Sequence, residues 1–204
     1  MLSSIEQVMT LAPVIPVLVI EDPAHARAIA EALVESGIRA LEVTLRTPAA
    51  LDVIREMAKV DGAIVGAGTV LNADQLKASL DAGAQFIVSP GLTETLGRAA
   101  IDAGTLFLPG VATAADIMRG MDMGLTRFKF FPAEANGGIP ALKALAAPFH
   151  TARFCPTGGI TEASAPAWLA LDAVLCVGGS WIVPAGAPDA GVIRARAAAA
   201  AALG

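Results

Sequence analysis

The stretch Arg127-Phe128-Lys129-Phe130-Phe131-Pro132 is a short, mostly aromatic run that predicts a buried β-strand. Side chains of a strand alternate between its two faces, so Lys129 should point away from Phe128 and Phe130. Burial removes water from an ammonium group and favours the neutral amine, which can attack a carbonyl carbon and form a Schiff base. A lysine whose stem reaches along the strand's end to solvent would fit this window equally well.

The same kind of apolar, β-branched run recurs along the chain, and alanine-rich stretches with helical periodicity separate the runs. The predicted strands are Val14–Ile20, Ala40–Leu45, Ala63–Gly68, Phe86–Ser89, Leu106–Gly110, Arg127–Phe131, Arg153–Pro156 and Ala173–Val177. Helix starts are predicted from capping residues at Asp22-Pro23, Thr47-Pro48, Asn72, Thr93 and Thr113. Helix ends with a left-handed C-cap are predicted at Gly37, Gly62, Gly83, Gly104 and Gly124.

Continuously apolar strands that alternate with helices predict an α/β fold with a parallel sheet covered by helices. Eight such units favour a (β/α)₈ TIM barrel as a single domain spanning residues 1–204. An open doubly wound sheet is the alternative, but its first βα turn should carry a dinucleotide-binding loop. Gly66-Ala67-Gly68 resembles such a loop only in part, because no third glycine follows at the required spacing.

The composition narrows the class of protein. Hydrophobic residues make up 55% and charged residues 16% of the chain, and no apolar stretch is long enough for a membrane helix. No secretory signal is evident at the first residues, so we expect a cytoplasmic protein without a membrane partner, in which Cys155 and Cys176 are buried thiols. A net charge of −5 and the lack of a basic run argue against nucleic acid as the partner.

Three ionisable residues should meet at one end of the barrel, because reactive groups collect at the carboxyl ends of its strands. Period two places Glu42 and Arg46 on one face of the second strand, and Lys129 lies near the end of the sixth. Glu42 could act as a general acid and base, or it could simply neutralise a neighbouring cation. Arg46 could clamp a substrate carboxylate in bidentate fashion, or it could be an ordinary loop arginine.

The last two predicted strands end in paired glycines, Gly158-Gly159 and Gly178-Gly179, and Ser180 follows the second pair. Backbone N–H groups are freely accessible where no side chain covers them, and barrels commonly bind phosphate after strands 7 and 8. A single pair of glycines usually marks only a tight turn, but two pairs at this location favour a phosphate site. No metal site is predicted, because His25 and His150 lie far apart without ligand spacing.

Four motifs that follow one another on the predicted strands resemble those of the 2-keto-3-deoxy-6-phosphogluconate (KDPG) aldolases, a family that also acts on 4-hydroxy-2-oxoglutarate. They are Glu42-Val43-Thr44-Leu45-Arg46-Thr47-Pro48, Gly66-Ala67-Gly68-Thr69-Val70, Arg127-Phe128-Lys129-Phe130-Phe131-Pro132 and Pro156-Thr157-Gly158-Gly159-Ile160. The resemblance covers essentially the whole chain. It implies a homotrimeric class I aldolase on a (β/α)₈ fold that needs neither a metal nor another cofactor and whose partner is a small 2-keto acid.

The resemblance also implies roles for individual residues, with Lys129 as the Schiff-base lysine and Glu42 as the general acid and base. The substrate-binding positions that it implies are Arg46, Thr69, Pro90 and Phe131 for the pyruvate portion, Gly158, Gly159, Gly179 and Ser180 for the phosphate, and Thr157 beside them. The products would be pyruvate and glyceraldehyde 3-phosphate, or pyruvate and glyoxylate from 4-hydroxy-2-oxoglutarate.

Other functions fit the same residues. An aldolase for a related 2-keto-3-deoxy acid, such as the galactonate epimer, would share the glycine framework. A sugar-phosphate isomerase or epimerase would use Glu42 as a base and Lys129 as an electrostatic aid, and a phosphosugar-binding barrel would use neither for chemistry. Imine formation separates the aldolases from the rest.

Overall fold

The computed structural model describes residues 2–203, in which short strands and helices alternate in an α/β fold. The strands are β1 (Val14–Leu18), β2 (Ala40–Thr44), β3 (Ile64–Gly68), β4 (Phe86–Val88), β5 (Leu106–Leu108), β6 (Gly110–Val111), β7 (Arg127–Phe130), β8 (Arg153–Pro156) and β9 (Val177–Gly179). The helices are α1 (Ile5–Met9), α2 (Ala26–Glu35), α3 (Ala50–Met57), α4 (Ala73–Asp81), α5 (Glu94–Asp102), α6 (Ala114–Asp122), α7 (Gly138–Ala146), α8 (Ala165–Leu169) and α9 (Ala190–Ala201).

The ladders between neighbouring strands are all parallel within residues 2–203, and the sheet is curled into a half-barrel. Six strands pair in the order β5-β4-β3-β2-β1-β9, and β6, β7 and β8 form a second group. The single strand predicted at Leu106–Gly110 is divided into β5 and β6 at Pro109, which has no N–H to contribute to a ladder. Between the two groups, Phe154 bridges to Val174 and Thr157 bridges to Gly178.

Seven of the eight predicted strands are confirmed to within a few residues, and the eighth is displaced. We expected a strand at Ala173–Val177, whereas the ladder of β9 begins at Val177, where the N–H donates to Pro13 O. The residues just before β9 pair with β8 instead, because Leu175 N donates to Phe154 O. The predicted segment therefore pairs first with β8, bends, and only then joins β1.

The predicted helix starts are confirmed at Asn72, Thr93 and Thr113, whose side-chain oxygens each accept a backbone N–H of the first turn. Asp22 caps a short 3₁₀ turn at Pro23–His25 instead of an α-helix. The start predicted at Thr47 is wrong, because α3 begins at Ala50. The Thr47 hydroxyl instead donates to Ile20 O at 2.8 Å and ties this loop to the one after β1.

The start of α6 is a capping box. The Asp116 carboxylate accepts the N–H of Thr113 at 3.0 Å, the N–H of Ala112 at 3.1 Å, and a bond from Arg119 at 3.1 Å. Burial by itself would raise the pKa of Asp116. The hydrogen bonds from Ala112, Thr113 and Arg119 outweigh that effect, so the pKa lies below the ordinary carboxyl value.

The glycines predicted to end helices are confirmed as left-handed residues. The φ angles are 92° at Gly37, 83° at Gly62, 100° at Gly83, 63° at Gly104 and 81° at Gly124. Only glycine adopts these angles without steric cost. Each one reverses the chain so that the next strand can begin beside the previous one.

Two apolar clusters hold the strands in place. The larger one lies between strands and helices and includes Phe128, Phe130 and Trp168, whereas a smaller cluster with Ile15 and Phe86 lies on the other face of the sheet. Cys155 and Cys176 belong to the smaller cluster as buried free thiols, as predicted. Across residues 2–203, every helix is too short or too polar to span a lipid bilayer.

Candidate active site

Lys129 lies on β7 and is buried, with 5% of its surface exposed. Its neighbours Phe128 and Phe130 point into the larger apolar cluster, where their rings lie 6.1 Å from Phe154 and 6.3 Å from Trp168, respectively. The alternation predicted from the sequence is therefore confirmed, because the lysine faces away from both rings. A ladder on each side holds the strand, so the position of the amine is set by the sheet.

The Lys129 amine meets the carboxylate of Glu42 from β2. Nζ donates to Oε1 at 2.8 Å and to Oε2 at 3.2 Å, and only 3% of Glu42 is exposed. Two buried charges lose much of their hydration, and a close bidentate contact offsets part of that cost. At this distance a proton can pass between carboxylate and amine, which is the geometry that general acid–base catalysis requires.

Room for Glu42 comes from Gly68 on the neighbouring strand β3. A Cβ atom at position 68 would lie 2.3 Å from Oε1 of Glu42 and 2.7 Å from its Cγ. Gly66, two residues earlier on the same face, leaves space for the ring of Phe86 in the same manner. The two glycines of β3 therefore make room on one face of the strand, Gly66 for the ring of Phe86 and Gly68 for the carboxylate of Glu42.

Phe131 lies beside this pair, and Thr69 follows Gly68, the glycine that makes room for Glu42. The half-buried ring of Phe131 has its centroid 5.6 Å from Lys129 Nζ, within range of a cation–π contact. Thr69 follows β3 with a φ of 61°, which costs a β-branched residue roughly 1–3 kcal/mol. Such strain persists only where the surroundings impose it, and it directs attention to the end of β3 as a site.

Pro90 and Arg46 follow the neighbouring strands β4 and β2. The carbonyl of Pro90 approaches β6 so closely that a Cβ at Gly110 would lie 2.2 Å from its oxygen. Arg46 is exposed in the turn after Thr44, where β2 ends, so strand alternation does not extend to it. Among residues 2–203 it takes part in no ion pair.

The two glycine pairs predicted to bind phosphate lie side by side, because Thr157, which precedes the first pair, bridges to Gly178 of the second. Gly158 and Gly159 have φ angles of 106° and 80°. Within residues 2–203 their N–H groups donate to no protein acceptor, whereas Gly158 O accepts from Glu134 N at 3.0 Å. Free N–H groups that neighbour one another form a concave site that suits an anion.

The second predicted phosphate-binding segment, Gly178–Ser180, is less exposed than expected. Gly178 and Gly179 are buried within β9, and only Ser180 is exposed. The side chain of Thr157 fills the space above Gly178, where a Cβ would lie 2.2 Å from its Oγ1. Thr157 thus faces the same interior as the lysine, one strand away.

The two buried free thiols, Cys155 and Cys176, lie close to this site, because Cys155 is the partner of Lys129 in the ladder between β7 and β8. The pKa of Cys176 lies well above the ordinary thiol value, mainly because its S–H donates to the Cys155 sulfur, a bond that favours the protonated thiol. Burial and the nearby charges of Cys155 and Glu42 raise it further. No group of three or more His, Cys, Asp or Glu side chains within residues 2–203 is arranged to hold a metal ion.

The family model described as "KDPG and KHG aldolase" matches residues 5–195. The chain belongs to the KDPG and KHG aldolase family. A relative within it is the 2-dehydro-3-deoxy-phosphogluconate aldolase of Zymomonas mobilis, 61% identical over 95% of this chain and 93% of that protein. The resemblance read from the motifs is confirmed.

Two solved structures of the KDPG and KHG aldolase family extend the comparison. The KDPG aldolase of Zymomonas mobilis with 3-phosphoglycerate superposes with a TM-score of 0.97 at 60% identity, over 98% of this chain and 96% of that one. The KDPG aldolase of Legionella pneumophila, with pyruvate captured as a covalent carbinolamine, gives a TM-score of 0.94 at 42% identity over 98% of both chains.

Two residues that shape this site, Gly68 and Glu134, are not among the site residues predicted from the sequence. Gly68 is predicted as the end of a strand and as part of two glycine motifs but not as the residue that makes room for Glu42, although its place on the strand beside Glu42 was a usable signal. Glu134, next to the glycine turn, was not considered at all. Its only signal was its position five residues after Lys129.

Proposed function

We propose that the protein is a class I aldolase, a carbon–carbon lyase that cleaves KDPG reversibly into pyruvate and glyceraldehyde 3-phosphate. By the same chemistry it cleaves 4-hydroxy-2-oxoglutarate into pyruvate and glyoxylate. The observation that carries the proposal is the buried Lys129 amine, 2.8 Å from a Glu42 carboxylate oxygen, in a chain of the KDPG and KHG aldolase family.

The reaction begins at Lys129. Glu42 accepts a proton from the amine, and Nζ adds to the C2 carbonyl carbon to form a carbinolamine. Glu42 then returns that proton to the departing hydroxyl, which leaves as water and gives a protonated imine. The covalent carbinolamine of pyruvate in the Legionella relative supports this assignment. The imine withdraws electrons from the neighbouring C3–C4 bond.

Glu42 next acts on the bound substrate. Its carboxylate takes the proton of the C4 hydroxyl, the C3–C4 bond breaks, and its electron pair moves to the imine, leaving an enamine and the free aldehyde. Glu42 then returns a proton to C3. Hydrolysis of the resulting imine releases pyruvate and frees the amine, and no step uses a metal or cofactor.

Binding is assigned in two parts. Arg46 pairs with the substrate carboxylate, and Thr69, Pro90 and Phe131 enclose the pyruvate portion. The free N–H groups of the first glycine turn support a phosphate site there. The phosphate-binding residues are Gly158, Gly159, Gly179 and Ser180, with Thr157 beside them.

Several structural properties accompany this function. We assign one domain and a closed (β/α)₈ barrel. The bridges from Phe154 to Val174 and from Thr157 to Gly178, and the continuity of the chain from β5 to β6, support this assignment. A homotrimer is supported by apolar side chains at the surface, such as Leu71 and Met118. Free thiols at Cys155 and Cys176 support a cytoplasmic location.

Borohydride trapping tests the covalent mechanism. Reduction in the presence of pyruvate should add one reduced pyruvyl group, which peptide mass spectrometry should locate at Lys129. Lys129→Arg keeps the charge but cannot form an imine, so both the adduct and the cleavage activity should be lost. Lys143→Arg, an exchange at an exposed lysine of α7, is the matched control. Normal turnover by Lys129→Arg, or an adduct elsewhere, would contradict the mechanism.

A further inference from the structure

Glu134 lies on the loop between β7 and α7 and has no role in the reaction described above. Its Oε1 accepts a hydrogen bond from the indole Nε1 of Trp168 at 3.0 Å. Trp168 is 1% exposed and packs against Phe130, the neighbour of Lys129 on its strand. One end of the Glu134 side chain is therefore held by a rigid, buried partner, although Glu134 itself is at the surface.

The backbone and stem of Glu134 contact the first glycine turn. Its N–H donates to Gly158 O at 3.0 Å, and the preceding N–H, of Ala133, donates to Thr157 O at 2.8 Å. The stem crosses Gly159 so closely that a Cβ there would lie 2.7 Å from Cβ and 2.8 Å from Cγ of Glu134. Glu134 thus covers one side of the turn and connects it to Trp168.

The turn needs such support, because consecutive glycines have more backbone freedom than any other residues. Gly158 and Gly159 both hold left-handed φ angles, and their N–H groups are free to bind an anion. A site that is already ordered loses less entropy when its ligand binds, so a support that restricts the turn increases affinity.

We propose that Glu134 is a positioning residue that, anchored by Trp168, holds the Gly158–Gly159 turn in the conformation that binds the substrate phosphate. The inference rests on the proposed function, since it concerns the phosphate of the aldolase substrate. Glu134 acts through the turn, and the hydrogen bond to Trp168 matters more than the charge of the carboxylate.

The test compares Glu134→Ala and Glu134→Gln on KDPG and on the unphosphorylated 4-hydroxy-2-oxoglutarate. Loss of the anchor in Glu134→Ala should raise the KM for KDPG roughly tenfold, on the scale of one hydrogen bond to a charged group, with little change in kcat. The KM for 4-hydroxy-2-oxoglutarate should change much less. Glu134→Gln keeps an oxygen acceptor for Trp168, so it should restore most of the KDPG affinity.

Glu162→Ala is the matched control, because Glu162 is an exposed carboxylate near the same turn that makes no hydrogen bond or ion pair within residues 2–203. Trp168→Phe removes the N–H from the other partner, and its melting temperature must be measured because the site is buried. The double variant Glu134→Ala/Trp168→Phe should show a KM no higher than the larger of the two single effects.

The outcomes separate this proposal from the one it rests on. If the parent protein cleaves neither substrate, the aldolase function fails. If it cleaves both, but Glu134→Ala changes the two KM values equally or not at all, the positioning role is overturned. A KM for KDPG that falls in both Glu134 variants would show that the carboxylate only repels the phosphate, and this would overturn the proposal as well.

Discussion

Gly68→Ala should abolish most of the catalytic activity although it adds only a single methyl group, at a residue that takes no part in the reaction itself. The new Cβ would lie 2.3 Å from Oε1 of Glu42, whereas ordinary van der Waals contact begins at 3.4 Å. The carboxylate therefore has to move by about 1 Å, because the methyl group is fixed to a strand paired on both sides.

The present bond from Lys129 Nζ to Oε1 is 2.8 Å long, so a displacement of that size takes it out of hydrogen-bonding range. Misplacement of a catalytic group by about 1 Å can cost a factor of about 10² in rate. We expect kcat for pyruvate-forming cleavage of KDPG to fall by about that factor, measured in a coupled assay for pyruvate.

Gly66→Ala is the matched control on the same strand. Its Cβ would lie 2.4 Å from the ring of Phe86, so overpacking should lower the free energy of unfolding by about 1–3 kcal/mol and the melting temperature with it. It leaves Glu42 in place, and its kcat should stay much closer to that of the parent. If Gly68→Ala retains near-normal kcat, or if both variants lose activity in proportion to stability, the steric argument is refuted.

Two further predictions concern a phosphate contact and a helix cap. Ser180→Ala should raise the KM for KDPG roughly 10- to 150-fold, which corresponds to the loss of about 1.5–3 kcal/mol from a hydrogen bond to a charged oxygen. Equal losses on 4-hydroxy-2-oxoglutarate would rule out phosphate recognition by Ser180. The lowered pKa of Asp116 means that its stabilisation is present above the ordinary carboxyl value of about 4 and is lost as the pH falls through the lower folded value. Asp116→Asn should be about 1 kcal/mol less stable than the parent at pH 7, and its stability should approach that of the parent in acid. A difference in urea midpoint between the two proteins that stays constant from pH 7 to pH 3 would disprove this pH dependence.

The parts of the fold that the sequence predicted well depend on local rules. Alternation around Lys129 follows from the geometry of one strand, and the left-handed glycines follow from the conformations that only glycine adopts. The displaced eighth strand shows the limit of such rules. Val174 and Val177 belong to one apolar run, yet they pair with different neighbours, and pairing is a property of the assembled sheet.

The candidate site could be predicted in its residues but not in its distances. Lys129 and Glu42 are 87 positions apart, and only the strand order brings their side chains into contact. The role of Gly68 could not be predicted, because its importance lies in the Cβ atom that it lacks, and this matters only once Glu42 is beside it. The role of Glu134 could not be predicted for a similar reason, since its partner Trp168 lies 34 positions away.

The pair of Lys129 and Glu42 is more easily explained by chemistry than by stability. Both side chains lie among the apolar residues on the inner face of the sheet, where removing two charges from water costs several kcal/mol for each ion. The close contact recovers part of this cost, but well-packed apolar residues of similar size would serve the fold as well or better. Three glycines on separate strands, Gly68, Gly110 and Gly178, give up side-chain packing and leave room for Glu42, the Pro90 carbonyl and Thr157, respectively. A fold selected for stability alone would fill that space, so the buried charges and the room around them are best understood as requirements of the reaction.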